Sequence, residues 1–410
     1  MAPDLTLDLD TAKVATVAVR TSGLPPFVFR KMIDGPTGGR PPARGDIVRL
    51  VDANETILGY GLWNPRSQIA VRTLTRGELP PGPEFWAARL DEAVQLRTGL
   101  LGLDATGDAY RLVHAEADGL SGLVVDRLGD TLSIECFSLG VYRRSTAITE
   151  HLRARLGVPH YRVRVDDRVQ LQEDFAATEV VSDAAPPSVT IREHGIRYRV
   201  KFEGSHKTGF FCDQRDNRER LAAFCRGRAV LDVCCYTGGF HLNALIRGGA
   251  REVTGVDLDE KAIALARENA NLNQVRTNLV HADAFGYLRQ MDANGRRYGV
   301  VVLDPPKLVT SRDEIGPAKT KYFDLNALAL RLVEPGGLLL TCSCSGLLPA
   351  EEFRGIVRAA ARAVGRPSRV LAETGAAPDH PVALDVPETG YLKALWLVAG
   401  EPEPRPSGPD

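Results

Sequence analysis

Three patterns of apolar and polar residues follow one another along the chain. In the first, GDIVRLVD, ILGYGLW and SQIAVRTL are short alternating runs divided by the turn-like DANE. Alternation between turn signals predicts a small antiparallel β domain ending at about Arg76. GPTGGRPPARGD, just before these runs, is expected to be a mobile loop. The second pattern, from about Gly77 to Pro187, mixes helical spacing (FWAARLDEAVQLRTGLLG, STAITEHLRARLG) with strand-like GLVVDRL and TLSIECF, and ends in the linker SDAAPPSVT. The third, from about Ser188 to Gly400, repeats a short apolar run and a helix-compatible stretch. AVLDVC, EVTGVD, GVVVLD and GLLLTCS are the runs; HLNALIRGG and EKAIALARENANLN are the stretches, the latter with Asp259 as N-cap. Strands alternating with helices predict a parallel sheet covered on both faces. The tail EPEPRPSGPD is predicted to be disordered.

Composition narrows the function classes. The 410 residues allow two or three domains. An apolar share of 44% and a charged share of 25% are those of a soluble globular protein. No run of about 18 apolar residues predicts a membrane span, and the acidic start MAPDLTLDLDTAK lacks the apolar core of a secretory signal. Seven cysteines occur without CxxC or His-rich spacing, so neither zinc nor another metal is expected, and free thiols suit a reducing cytoplasm. The net charge of -1 gives no overall basic excess. The stretch from Arg192 to Arg228 is nonetheless basic, with Arg197, Arg199, Lys201, Lys207, Arg215, Arg218, Arg220 and Arg226 between its ends. That reads either as a phosphate-binding patch or as a solvated face.

In an open α/β sheet the chemistry lies beyond the carboxyl ends of the strands. AVLDVC runs into CYTGGF, where Gly238 and Gly239 let the backbone turn and approach a ligand. Asp232 precedes that turn, Asp257 ends the next strand and can accept from ribose hydroxyls, and Asp283 follows a third run. The G-x-G-x-x-G spacing of a dinucleotide site is missing, which argues against a nicotinamide dehydrogenase.

LDVCCYTGGF, GVDLDEKAIALARENANLN, HADAF and VVLDPPK resemble the successive motifs of class I S-adenosylmethionine-dependent methyltransferases. GSHKTGFFCDQRDNR resembles the element that opens the catalytic domain in a family of bacterial 23S ribosomal RNA cytosine carbon-5 methyltransferases with a PUA domain. GDIVRLVD with NPRSQIAVR, YRLVHAEADGLSGLVVDRLGD, and DHPV with GYLKAL extend the likeness over most of the chain. Two places depart from the family. GLPPFVFR stands where it carries Gly-His-Pro-Trp, and Ser205-His206 stand where it usually has Gln.

The resemblance implies an α/β fold: a Rossmann-like methyltransferase domain at 188–400, preceded by a small β-barrel PUA-like domain at 1–76 and an α+β domain at 77–187, with a disordered tail at 401–410. S-adenosylmethionine is the implied cofactor, held by Gln214, Asp232, Tyr236, Thr237, Gly238, Gly239, Asp257, Asp283 and Asp304. Carbon 5 of cytosine is a poor nucleophile until a thiolate adds to carbon 6. The family match assigns that thiolate to Cys344, with Cys342 in reserve. Asp304 would meet the cytosine ring edge, and Lys307 is a candidate source of charge favouring the thiolate. Lys207, Phe210, Phe211 and Arg215 are candidate RNA contacts, and Phe210 and Phe211 read equally well as core residues. The expected partner is 23S rRNA or a large-subunit assembly intermediate, in the cytoplasm. A homodimer through an exposed edge strand is left open as a further partner. Two alternatives stay open, a guanine nitrogen methyltransferase and a non-catalytic RNA-binding assembly factor; Cys344 weighs against the first.

Overall fold

The alternating runs of the first segment form one six-stranded sheet. Its strand order is Phe27–Phe29, Ile69–Arg76, Ile57–Trp63, Ile47–Val51, Thr16–Val19, Ile33–Thr37. Two edge strands close in sequence are joined by a single 3-10 turn at Arg30–Met32, so the sheet curls on itself. One pair departs from the antiparallel expectation. Thr16–Val19 runs parallel to Ile47–Val51, because the chain reverses at Ile33–Thr37 and again before Ile47. Gly35–Thr37, expected in a loop, belong to that reversing strand.

The structure is a computed structural model describing residues 14–21, 23–38, 41–202 and 209–403. The acidic start, Ser205, His206, Lys207 and positions 404–410 of the tail lie outside the described residues. The chain forms two compact units. The first comprises residues up to Arg192, Val200–Cys212 and Pro378–Thr389; the second comprises Glu193–Arg199, Asp213–Ala377 and Gly390 onward.

The first unit also holds a five-stranded sheet, with Thr131–Cys136 central, and two long helices, Pro83–Gln95 and Leu139–Leu156. The second helix begins six residues before STAITEHLRARLG. The Ser138 hydroxyl accepts from the Val141 amide at 3.2 Å and caps it there.

In the second unit we number the strands β1 (Ala229–Val233), β2 (Glu252–Asp257), β3 (Asn278–His281), β4 (Tyr298–Leu303), β5 (Val333–Ser343), β6 (Ser368–Thr374) and β7 (Lys393–Ala399). The helices are α1 (Arg215–Ala222), α2 (Gly239–Leu242, continued by a π turn), α3 (Glu260–Leu272), α4 (Ala284–Ala293), α5 (Ile315–Leu332) and α6 (Ala350–Ala363). The sheet order is β3-β2-β1-β4-β5-β7-β6. The all-parallel expectation is corrected at one strand: β7 runs antiparallel to both β5 and β6. Asp259 caps α3 as its sequence position predicted, accepting from the Lys261 amide at 2.8 Å.

Period-two alternation divides the sheet into two buried faces. Val230, Val302, Leu340 and Trp396 pack with Leu221 of α1 on one. Leu231, Val301, Leu339 and Leu397 pack with Tyr322 and Phe353 of α5 and α6 on the other. Continuing the same count, Asp232, Asp304, Cys342 and Cys344 fall on the α1 face. Strand order reverses between β1 and β4, so their carboxyl ends open the crevice in which ligands of such sheets bind.

Candidate cofactor and catalytic site

The loop after β1 is wound tightly. Cys234 and Tyr236 have positive φ (63° and 48°), and Gly238 follows at 89°. Non-glycine residues adopt that region only when their surroundings hold them there. Here the holder is Asp257: its Oδ2 accepts from the Tyr236 amide at 2.8 Å, and its Oδ1 from the Asp259 amide at 2.9 Å. Asn269 donates to the Thr237 carbonyl at 3.0 Å. The two glycines are needed for different reasons. A Cβ on Gly238 would meet only ordinary van der Waals contacts, so its positive φ is the constraint, whereas a Cβ on Gly239 would come within 2.8 Å of the Arg218 side chain. Arg218 cannot easily retreat, since Glu193 grips it bidentately at 2.7 and 2.5 Å with both side chains buried.

Acids accumulate at the strand ends. Asp232 is buried, and its carboxylate oxygens form no well-made hydrogen bond, the His241 backbone amide being only a weak partner. Burial, then the charges of Asp304 and Asp257, push its carboxyl up to about 8. Burial and the Asp213 charge push Asp304 up to about 7. Asp213 accepts from the Tyr391 hydroxyl at 2.6 Å through Oδ2, while its buried Oδ1 lacks a partner. Orphaned acid oxygens this deep suit a ligand that brings positive charge and hydrogen-bond donors.

Asp304 is held by a relay of side chains. Trp396 Nε1 donates to Thr374 Oγ1 (2.9 Å), which donates to Asn217 Oδ1 (2.7 Å). Asn217 Nδ2 donates to Gln214 Oε1 (2.7 Å), and Gln214 Nε2 donates to Asp304 Oδ2 (3.0 Å). The relay joins β7, β6 and α1 to the end of β4.

The two candidate cysteines sit differently. Cys342 lies within β5, fully buried, and burial drives its thiol well above the ordinary value. Cys344 lies just past the end of β5 and is half-buried. Ser343 and Ser345 point the other way: the Tyr322 hydroxyl accepts from Ser343 at 2.9 Å and lies 3.0 Å from the Ser345 hydroxyl. Beside them, Lys393 Nζ donates to the Ser345 carbonyl (2.6 Å) and the Tyr391 carbonyl (2.8 Å). Lys307, beyond Pro305 and Pro306, is exposed.

The remaining predicted residues are scattered. Exposed Asp283 caps α4, accepting from the Gly286 amide at 2.8 Å. Phe210, buried, and Phe211, half-buried, fold with the first unit. Arg215 is buried and paired with Asp216 at 3.1 Å. With Arg218 also inside, the basic stretch is not one continuous surface patch, because these side chains point into the α1 packing. Sequence reasoning missed Lys393, Asn217 and Tyr391, which reach the site only through the β5–β7 pairing and α1. Among the described residues no group of His, Cys, Asp or Glu is arranged to hold a metal ion, and no helix is long and apolar enough to cross a membrane.

Comparison with known proteins agrees with this architecture. A PUA-like domain profile matches residues 20–76. "Ribosomal RNA large subunit methyltransferase I" of Aeromonas hydrophila is 39% identical over 382 residues, 91% of this chain and 95% of the relative. The protein of that name from Tolumonas auensis is 38% identical, with 91% and 95% covered. The solved structure of SMU.776 complexed with SAH superposes with a TM-score of 0.77 at 20% identity, covering 93% of this chain and 99% of that one. The profile of S-adenosylmethionine-dependent methyltransferases matches residues 122–396, about two thirds of the chain, and this protein belongs to that family.

Proposed function

We propose that this protein methylates carbon 5 of a cytosine in 23S ribosomal RNA through a covalent Cys344 adduct. The observation that carries the reading is the placement of Cys344. It stands half-exposed just past β5, on the sheet face that also carries Asp304, at the carboxyl end where strand order reverses. Cys342, by contrast, is sealed in the strand. The names of the two relatives support ribosomal RNA as substrate.

The site fits the cofactor. S-adenosylmethionine supplies a methyl group on a sulfonium and carries a cationic amino group. The weakly partnered oxygens of Asp232 and the orphaned Oδ1 of Asp213 offer acceptors to such charge. Tyr236, Thr237, Gly238 and Gly239 form the loop against which it would lie, Asp257 the ribose partner, and Asp283 and Gln214 further contacts.

The base must leave its stack, since carbon 5 and carbon 6 are shielded in a helix. The Cys344 thiolate forms a bond to carbon 6, and the electron pair released toward carbon 5 takes the methyl group. Loss of the carbon-5 proton then expels the thiolate and restores the ring. Negative charge develops on the ring's O2–N3 edge during addition. Asp304, with its carboxyl raised to about 7, is suited to share a proton there. In this reading Lys207 and Phe211 contact RNA, while the buried Phe210 and Arg215 serve packing instead; Lys307 lies near the base, 1–76 docks RNA, and 77–187 and 188–400 are the central and catalytic domains of a cytoplasmic enzyme. Nucleoside analysis of rRNA treated with the protein and labelled cofactor tests it. 5-Methylcytosine is expected, lost in Cys344→Ala with cofactor binding kept; a methylated guanine overturns it.

A further inference from the structure

The cation beside Cys344 is anchored by the fold. Lys393 opens β7 and pairs in register with Ser343, one residue before Cys344. Its ammonium is gripped by two backbone carbonyls, Ser345 at 2.6 Å and Tyr391 at 2.8 Å. The first belongs to the residue directly after Cys344, so the grip fixes both the thiol's backbone and the charge next to it. Lys307, the cation suggested by sequence, is exposed on the loop after β4 and is not held in this way.

Resting on the reading of Cys344 as nucleophile, we propose that Lys393 is a positioning residue that holds the Cys344 loop and stabilises the thiolate with a half-buried, backbone-anchored ammonium. Burial lowers the Lys393 amine to about 8, opposed by attraction to Cys344 and reinforced by repulsion from Lys307. Among the described residues, Cys342 on β5 and Tyr322 on α5 also interact with the thiol. Neither can supply positive charge. A half-buried ammonium fixed by two carbonyls weighs more on the thiol than a fully solvated one would.

Peptide-resolved alkylation of Cys344 by iodoacetamide across pH, in the full chain without RNA, tests this directly. Lys393→Gln keeps a donor for the carbonyls but removes the charge, so the loop stays folded; Lys393→Arg keeps the charge. Loss of the charge is expected to raise the Cys344 midpoint by about one pH unit and slow alkylation at pH 7 about tenfold. Arg is expected to restore most of the rate. Methyl transfer by Lys393→Gln should lose kcat about tenfold with KM for RNA unchanged. A Gln profile superimposable on wild type, with an unchanged melting temperature, overturns the proposal. Methylation surviving in Cys344→Ser instead overturns the nucleophile reading, and the alkylation titration still reports on Lys393.

Discussion

Gln214 donates its side-chain amide to Asp304 at 3.0 Å, across the crevice where strand order reverses. The donor is not free to swing, because Asn217 holds its other end at 2.7 Å. A hydrogen bond to the charged form favours that form. Gln214 thus restrains the upward push that burial and Asp213 exert on Asp304. Gln214→Leu should therefore raise the Asp304 carboxyl further, from about 7. The limb of the pH–rate profile belonging to Asp304 should move to higher pH, whichever protonation state is active. Steady-state kinetics between pH 5.5 and 9 would check it, with Asp304→Asn as the control that removes the limb and costs roughly 10²–10³ in kcat.

Asp232 should trade stability for binding. Its folded value of about 8 lies far above the ordinary carboxylate value of 3.8. The folded state therefore holds a proton that the unfolded chain releases, an advantage present below about 4 and lost as pH rises to about 8. Asp232→Asn should match wild type in melting temperature near pH 4 and exceed it at pH 8.5, by on the order of 5 °C. The same variant should bind S-adenosylmethionine more weakly by calorimetry. Equal melting curves at pH 8.5 would show that the burial cost is met some other way.

The glycine pair separates two kinds of constraint. Gly239→Ala places a methyl 2.8 Å from an Arg218 side chain pinned by Glu193, and should cost about 1–3 kcal/mol through overpacking. Gly238→Ala meets no atom closer than 3.6 Å, yet its φ of 89° makes it cost about 1–2 kcal/mol through backbone strain. Releasing Arg218 by Arg218→Met should relieve the first and leave the second unchanged. Urea denaturation of the single and double variants decides this.

Breaking the buried pair itself should be severe. Glu193→Ala leaves the Arg218 guanidinium buried beside the glycine loop after β1 without its bidentate partner, a loss of about 3–5 kcal/mol. Replacing both residues with apolar ones should recover part of that, as a double-mutant cycle would reveal.

Local patterns in the sequence carried much of this site. The runs that carry Asp232, Asp257 and Asp304 at or near their ends announced themselves by apolar composition bounded by turns, and Asp259 by its place before a helical period. What escaped depends on non-local pairing. KALWLVA is too uniformly apolar to reveal a direction, so the antiparallel β7 was not visible, and Lys393 with it. Lys307 drew attention because it follows two prolines, although chain adjacency says nothing of burial. The helix at Leu139 was shortened for the opposite reason. Its first turn, LGVYRR, has weak helical periodicity, and the Ser138 cap and the packing of Val141 override it.

The central claim concerns which atom attacks the base. RNA carrying 5-fluorocytosine cannot release the carbon-5 substituent as a proton, so the adduct should persist. Mass spectrometry of the protease-digested complex, formed with S-adenosylmethionine present, should find the nucleotide attached to Cys344 and absent from Cys342. Attachment to Cys342, or no adduct alongside normal methylation of ordinary RNA, would contradict the account.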